Sequence, residues 1–562
     1  MRLIHIPLVA LFSCSVLAAP LTIALGEQDW TQQEWDAIVV GAGPAGIIVA
    51  DRLSEAGKKT LLLEGGGKSY GITGGSQKPD WLAGTSMSRV DIPGLYKSIF
   101  EDPGDLTCAS DETTAFGGCT IGGSSAINAG LFFQPPSSDW DTYHPDGWKN
   151  SDLEAATKRL LSRQKSVTNY SADGNFYLQT GYEAAKKWLV DNAGYSNVVI
   201  NDKPHDKTKV FGRPAYDYNN GQRGGPVTTY LQSSLGRSNF KLQSGVRVQR
   251  VERTGSKATG VVAKFNGTTV TIPLSSTGRV VLSGGAIQSP QMLMMSGIGD
   301  PATLSQLESN KLLPESLSSS AWINNTAVGD GLFDNPNTFI ELTGPSIGSY
   351  TYSLKAPITS DALMYLNSKS GPYTFASQTS VFWTTIPHTD GTPATGVQGT
   401  IDSAGHGEYM DDRTITLNLY GTSGLLSSGR VQVDAKGVAG PSDDVYYSDA
   451  AGRDASDIAQ FIYDIFQALP GSGLTPLNIP ANATKQEIVN YITTPSKYAR
   501  GQVNHWSSSC RIGSCVDAEA LKVKGTDNVH VVDGSVVAPL TVNPQFGIMV
   551  AAEKGGELIA AL

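Results

Sequence analysis

Asp36-Ala-Ile-Val-Val-Gly41-Ala-Gly43-Pro-Ala-Gly46, followed closely by Leu61-Leu-Leu-Glu64, is the stretch whose reading decides the fold. Residues 37–40 form a short continuous apolar run, the pattern of a parallel strand buried on both faces. Residues 41–46 read as a tight turn and residues 47–56 as a helix whose first turn can face a pyrophosphate. Gly41 permits the turn, Gly43 lets backbone approach the phosphates, Gly46 allows the helix to lie against the strand, and Ala45 between them is a further candidate cofactor contact. The helix start contributes free N–H groups and partial positive charge. Glu64 ends a second strand, where its carboxylate can accept hydrogen bonds from both ribose hydroxyls and would repel a 2′-phosphate. The order strand, turn, helix, strand, acid therefore predicts an ADP-bearing cofactor, with FAD and NAD both open.

Composition sets the frame around that unit. The chain has 562 residues, 40% hydrophobic and 17% charged, enough for two associated domains of an ordinary globular protein. A formal charge of −10 and a pI near 5.3, with no basic run, argue against nucleic acid or an anionic membrane as partner, because phosphate neutralisation needs clustered Lys and Arg. Met1-Arg2, the apolar run over residues 3–17 and Ala18-Ala19-Pro20 have the layout of a secretory signal cleaved after Ala18, too short to span a bilayer. Sequons at Asn169, Asn266, Asn324 and Asn482 fit an extracellular route. Cys14 would leave with the signal, and Cys108, Cys119, Cys510 and Cys515 then allow three disulfide connectivities, of which the two local pairs are the simplest. No metal site is expected.

Farther along, the glycine-rich stretch from Gly117 to Gly130 contains Gly122, Gly123 and Asn128, small residues that let backbone pack against a flat ligand. Residues 153–163 and 176–191 have helical apolar spacing. Short strands are expected over residues 246–251, 258–265, 269–272 and 279–283, the last returning the chain to the nucleotide sheet. Alternating segments at 338–342, 379–385, 414–420 and 430–433 predict a second, largely antiparallel sheet, with a helix over 454–469 on one face. A strand over 529–533 and a helix over 547–561 close the chain.

Three separated segments then agree. The nucleotide motif, the block Gly285-Ala-Ile-Gln-Ser289-Pro290-Gln-Met-Leu-Met-Met-Ser296-Gly297-Ile298-Gly299 and the C-terminal Asn543-Pro544 together resemble the glucose-methanol-choline (GMC) flavin oxidoreductases over nearly the whole mature chain. Within that family the likeness is greatest to the flavin dehydrogenase domain of fungal cellobiose dehydrogenases. Asn504-His505-Trp506 is similar to that group's catalytic segment, residues 118–130 to its flavin-facing loop, and residues 224–231 to a further shared block. Ser124-Ser125 and the two cysteines after Ser507 depart from the pattern.

The resemblance implies an α/β fold in which a Rossmann-like FAD-binding domain (residues 30–135, 225–330 and 500–562, after a signal peptide at 1–18) is interleaved with a substrate domain (136–224 and 331–499) built on a mainly antiparallel sheet covered by helices. It implies FAD, held without a covalent bond because residues 115–128 contain no histidine. It makes His505 the base that takes the substrate hydroxyl proton while a hydride goes to flavin N5, a task suited to an imidazole with a pKa near working pH. Asn543 would hold the substrate oxygen or the flavin edge, and Asn504 would add a substrate hydrogen bond. Gly122, Gly123 and Asn128 would line the flavin, Val248 would meet adenine by its backbone, Asp533 with Gly534 would sit near the ribityl chain or pyrophosphate, and Pro544 would be a further cofactor contact. The implied activity is oxidation of an anomeric sugar hydroxyl to a lactone, with electrons passing to oxygen, a quinone or another diffusible acceptor. An aryl or other primary alcohol oxidase or dehydrogenase is the alternative, and an FAD-containing hydroxynitrile lyase a third. Too few residues precede the first strand for a haem domain in this chain.

Overall fold

The computed structural model describes residues 29–562, so the expected signal segment lies outside the described residues. Its first sheet has seven strands. Phe240–Ser244, Thr60–Glu64, Trp35–Val40 and Thr268–Leu282 lie side by side, with Val529–Val531 on the outer side of the last. These contacts are parallel, with Val39 opposite Leu62 and Val281 and with Val281 opposite His530. All five residues of Thr60–Glu64 are buried, as a strand covered on both faces requires.

Residues 269–272 and 279–283, expected as two strands, belong to one long strand, Thr268–Leu282. Its first half pairs antiparallel with Lys257–Phe265, and its second half enters the parallel sheet beside Trp35–Val40. The register shifts between Trp35 and Ala37, where a Cβ on Gly278 would stand 2.7 Å from the Trp35 carbonyl oxygen. A glycine at that close approach lets one strand serve both pairings.

The helix after the first strand spans Pro44–Glu55, earlier than the expected start at residue 47. Pro44 occupies its first turn, where the missing N–H is no loss. A Cβ on Gly46 would lie 1.9 Å from the Gly41 carbonyl oxygen, and one on Gly41, at φ +102°, would lie 2.4 Å from the Ser283 oxygen. Both positions demand glycine for packing. The C-terminal helix Gln545–Ala560 crosses this first helix, with Gly556 close against Arg52 and Val49.

The second sheet has eight strands, mostly antiparallel. Pro336–Thr343, Thr414–Gly421, Thr395–Asp402 and Gln378–Ile386 form its centre. Residues 430–433, expected in this sheet, belong instead to a separate three-stranded sheet as Gly429–Val433. One face of the large sheet carries Ile340, Leu342, Val397, Ile401, Ile415, Leu417 and Leu419 into a core shared with the helices Arg453–Gln467 and Lys485–Thr493. Ile458, Ile462, Ile465 and Phe466 recur at helical spacing along that interface. Cys108 is bonded to Cys119 and Cys510 to Cys515. Among the described residues no helix is long and apolar enough to cross a membrane.

Candidate active site

A cavity of about 1400 Å³ runs between the two sheets, from the Gly41 turn to the polar face of the antiparallel sheet. At its first end Gly41, Gly43, Ala45 and Glu64 form the wall, and Val248, Gly123, Gly534 and Pro544 line it farther along. The space a Cβ on Gly43 would occupy is empty to 4 Å, which leaves the helix start open to a ligand. Glu64 accepts the Ala42 N–H on Oε2 and the Gly66 N–H on Oε1, both at 2.8 Å. Burial raises its pKa. Each oxygen still has a second acceptor site, so the pinned carboxylate fits a ribose diol. The length of the cavity, its bare helix start and this carboxylate suit FAD.

Several expected contacts take a different form. Gly46 and Gly122 stand behind the wall. Gly122, at φ +99°, donates its N–H to the Ala42 oxygen at 2.8 Å and holds the loop in place. Asn128 lies on the wall, but its side chain is engaged with Gln545, Gly130 and Arg223. Asp533 also borders the cavity, yet its carboxylate accepts from the Gly285 N–H (2.8 Å), the Ser289 hydroxyl (2.6 Å) and the Ser535 N–H and hydroxyl (2.8 and 2.6 Å). That carboxylate braces the turns around the cofactor space, which leaves Gly534 as the closer wall.

At the other end His505 and Asn543 come together from separate segments, with Asn543 Nδ2 3.2 Å from His505 Nε2. His505 Nδ1 is 2.9 Å from Asn335 Oδ1. The segment that carries the histidine is clamped by Asp334, whose carboxylate accepts the N–H groups of Val503 and Asn504 at 3.1 Å, that of His505 at 2.7 Å and the Tyr446 hydroxyl at 2.6 Å. This clamp holds Asn504 at φ +66°, a conformation asparagine tolerates better than most residues. Burial raises the Asp334 pKa to about 6. Desolvation lowers that of His505 to about 3, well below the near-neutral value expected from the sequence, so the imidazole is neutral with a lone pair free but is a weaker base than a solvated one. Asn504 lines the cavity, its Oδ1 buried and unpartnered.

Beyond His505 the antiparallel sheet turns its second face to the cavity, presenting Asn337, Thr400, Asp402, Thr416, Asn418 and Tyr420. Thr400 lies opposite Asn418 and Glu341 opposite Thr416 in the ladder. Asp402 pairs with Lys97 at 2.7 Å. Asp334, Asn335 and this polar row were not singled out from the sequence. The row did leave a signal there: Thr416, Asn418 and Tyr420 alternate with Ile415, Leu417 and Leu419, and the same period that marks a strand also marks a polar face.

Profiles of the GMC oxidoreductase family match residues 96–337 and 426–552. An oxygen-dependent choline dehydrogenase of Staphylococcus saprophyticus is 25% identical over 566 aligned residues, covering 94% of this chain and 95% of its own. An FAD-dependent oxidoreductase from Chaetomium thermophilum superposes with a TM-score of 0.71 at 18% identity, over 94% of this chain and 99% of its own. A formate oxidase superposes at 0.72 and 17%, over 94% and 98%. These structural likenesses establish the shared fold.

Proposed function

The chain belongs to the GMC oxidoreductases and is an FAD-dependent enzyme acting on alcohol groups, and from that premise we propose that it oxidises the anomeric hydroxyl of an oligosaccharide to the lactone. The observation that carries this reading is the polar sheet face across from His505. A substrate with one reacting hydroxyl needs one catalytic contact, whereas Thr400 and Asn418 offer hydroxyl and amide groups to further hydroxyls of the same molecule, beside Thr416, which is bonded to Glu341, and Asp402, which is paired with Lys97. The likeness of Asn504-His505-Trp506 to cellobiose dehydrogenases points the same way.

In this reading Gly41, Gly43, Ala45 and Glu64 hold the ADP half of FAD, and Gly123, Val248, Gly534 and Pro544 border the remainder. FAD, when bound, supplies an acceptor for the hydride. His505 Nε2 takes the hydroxyl proton, and Asn543 and Asn504 hold the substrate oxygen by their amides. Asp334 keeps the histidine segment from shifting. A diffusible acceptor then receives the electrons. We place the enzyme in the secretory route: all four sequon asparagines are exposed, and the two disulfides suit an oxidising compartment.

A second reading, oxidation of aryl alcohols, draws on the aromatic side chains of the cavity wall. Phe100 stacks on Phe116 at 5.0 Å between ring centres, with Tyr96 and Phe339 also lining the space. Anaerobic mixing of the holoenzyme with cellobiose, glucose, benzyl alcohols, choline and mandelonitrile separates the possibilities by flavin absorbance. Bleaching by cellobiose is the expected result. Bleaching by benzyl alcohols or choline alone would sink the sugar reading, and cyanide release without bleaching would mark a lyase.

A further inference from the structure

We propose that a chain of buried amides, Trp383 to Gln398 to Asn543 on one side of His505 and Asn335 on the other, locks the imidazole in the tautomer with the proton on Nδ1, which makes Gln398 and Asn335 positioning residues for the proton transfer. Both ends of the chain have a fixed sense. The Trp383 indole can only donate, and its Nε1–H is shared between Gln398 Oε1 at 3.0 Å and the Thr541 carbonyl oxygen at 3.1 Å, so Gln398 turns its oxygen, not its amino group, to the indole. The amino end of Gln398 therefore points the other way, donating to Asn543 Oδ1 and to the Tyr420 hydroxyl, both at 2.8 Å. With its oxygen so occupied, Asn543 turns Nδ2 to His505 Nε2. A donor there requires a lone pair on Nε2.

The opposite side gives the same answer independently. The Gly421 carbonyl can only accept, and Asn335 Nδ2 donates to it at 2.7 Å. Asn335 Oδ1 is thereby presented to His505 Nδ1, which must carry hydrogen. The other tautomer would set N–H against N–H at Asn543 and lone pair against lone pair at Asn335. On the Asn335 side water cannot relieve that conflict, because Asn335 is 4% exposed; on the Asn543 side His505 borders the cavity, and the sense is set by the buried Trp383 and Gln398 behind it.

The chain also rests on a rigid support. Trp383, Gln398 and Tyr420 are direct cross-strand neighbours on three adjacent strands of the antiparallel sheet, so its orientation is set by the ladder and not by a loop. Asn543 keeps a second amide N–H for a substrate oxygen. When the substrate hydroxyl arrives, its O–H bond breaks and an Nε2–H bond forms, while the Nδ1–H bond to Asn335 persists through the imidazolium. The electron pair of the adjacent C–H bond leaves with the hydride to the enzyme's FAD.

The inference rests on His505 as the base, and the test separates the two claims. In holoenzyme labelled with ¹⁵N-histidine and free of substrate, Nε2 of His505 should resonate as an unprotonated nitrogen. In Gln398→Glu one carboxylate oxygen still accepts from Trp383, but the other forces Asn543 to turn its oxygen onto Nε2. Nε2 should then become protonated, and the limiting rate of flavin reduction should fall on the order of 100-fold with KM little changed and FAD retained. Asn335→Asp keeps an acceptor at Nδ1 and adds charge, so the kinetic pKa of reduction should rise. A protonated Nε2 in the wild type, or a Gln398→Glu enzyme that keeps the original tautomer and rate, overturns the relay. Should Gln398→Glu fail to fold, an unmoved pH profile in Asn335→Asp overturns it. A correct tautomer combined with unimpaired reduction in His505→Ala would instead refute the base assignment alone.

Discussion

The two ends of the cavity are built from different materials. At the nucleotide end the functional groups are mostly backbone: a glycine turn, a helix start and one carboxylate held by two peptide N–H groups. At the catalytic end they are side chains that converge from far apart, His505 meeting Asn335 across 170 positions and Gln398 meeting Asn543 across 145. A cofactor's phosphates and ribose can be held by a short continuous segment, because backbone groups come at every residue. Proton transfer needs one imidazole with a defined lone pair, and only a network of side chains defines it.

The contrast predicts different failures at the two ends. The largest effect is expected from Gly46→Ala. Its Cβ would overlap the Gly41 oxygen at 1.9 Å, a backbone atom that cannot yield cheaply. The strand–helix unit should lose about 1–3 kcal/mol or more, and purified protein should be colourless or insoluble; a yellow, normally stable variant would show that the turn is more plastic than described. Glu64→Gln comes next. It removes the charge and sets an amino group against a peptide N–H, so FAD should bind about tenfold more weakly, read by flavin fluorescence on dilution, while reduction of the bound fraction stays normal. An equal loss in reduction rate would blur the division between the two ends.

Smaller changes probe the catalytic end. Asn418→Ala removes one amide from the sheet face, and KM for cellobiose should rise about tenfold with kcat nearly unchanged; the same change should leave benzyl alcohols unaffected. An unchanged cellobiose KM would remove Asn418 from the substrate site. The smallest expected change is with pH. A depressed pKa near 3 keeps His505 neutral throughout the range above it, so falling pH protonates it only well below the 6.5 of free imidazole. Anaerobic flavin reduction should therefore stay level between about pH 5 and 7. A rate that halves near pH 6.5 would mean that the ring is well solvated.

The same contrast explains what was legible in the sequence. Gly41 to Glu64 could be read directly because strand, turn, helix and acid are contiguous, and their spacing is the constraint. His505 and Asn543 came only through resemblance to a family, since neither stands in a local pattern that distinguishes it from an ordinary polar residue. Asn335 and Gln398 escaped altogether. Their roles depend on which strand lies beside which, and on the one-sided hydrogen bonding of Trp383 and of the Gly421 carbonyl. The union of residues 268–282 into one strand was likewise hidden, because the role of Gly278 appears only with the close approach of Trp35. Asp533 shows the reverse case: the acid was visible, but only its four protein donors reveal that it braces the site.

In the proposed reaction one neutral imidazole, His505, takes the hydroxyl proton, while the nucleotide half of the cofactor is held at the far end of the cavity. Anaerobic single-turnover reduction of FAD by cellobiose in wild type and His505→Ala tests it most directly. The variant should keep its bound flavin and its yellow colour, and its reduction rate should fall by about 10²- to 10⁴-fold. Reduction at the wild-type rate with flavin still bound would contradict the account.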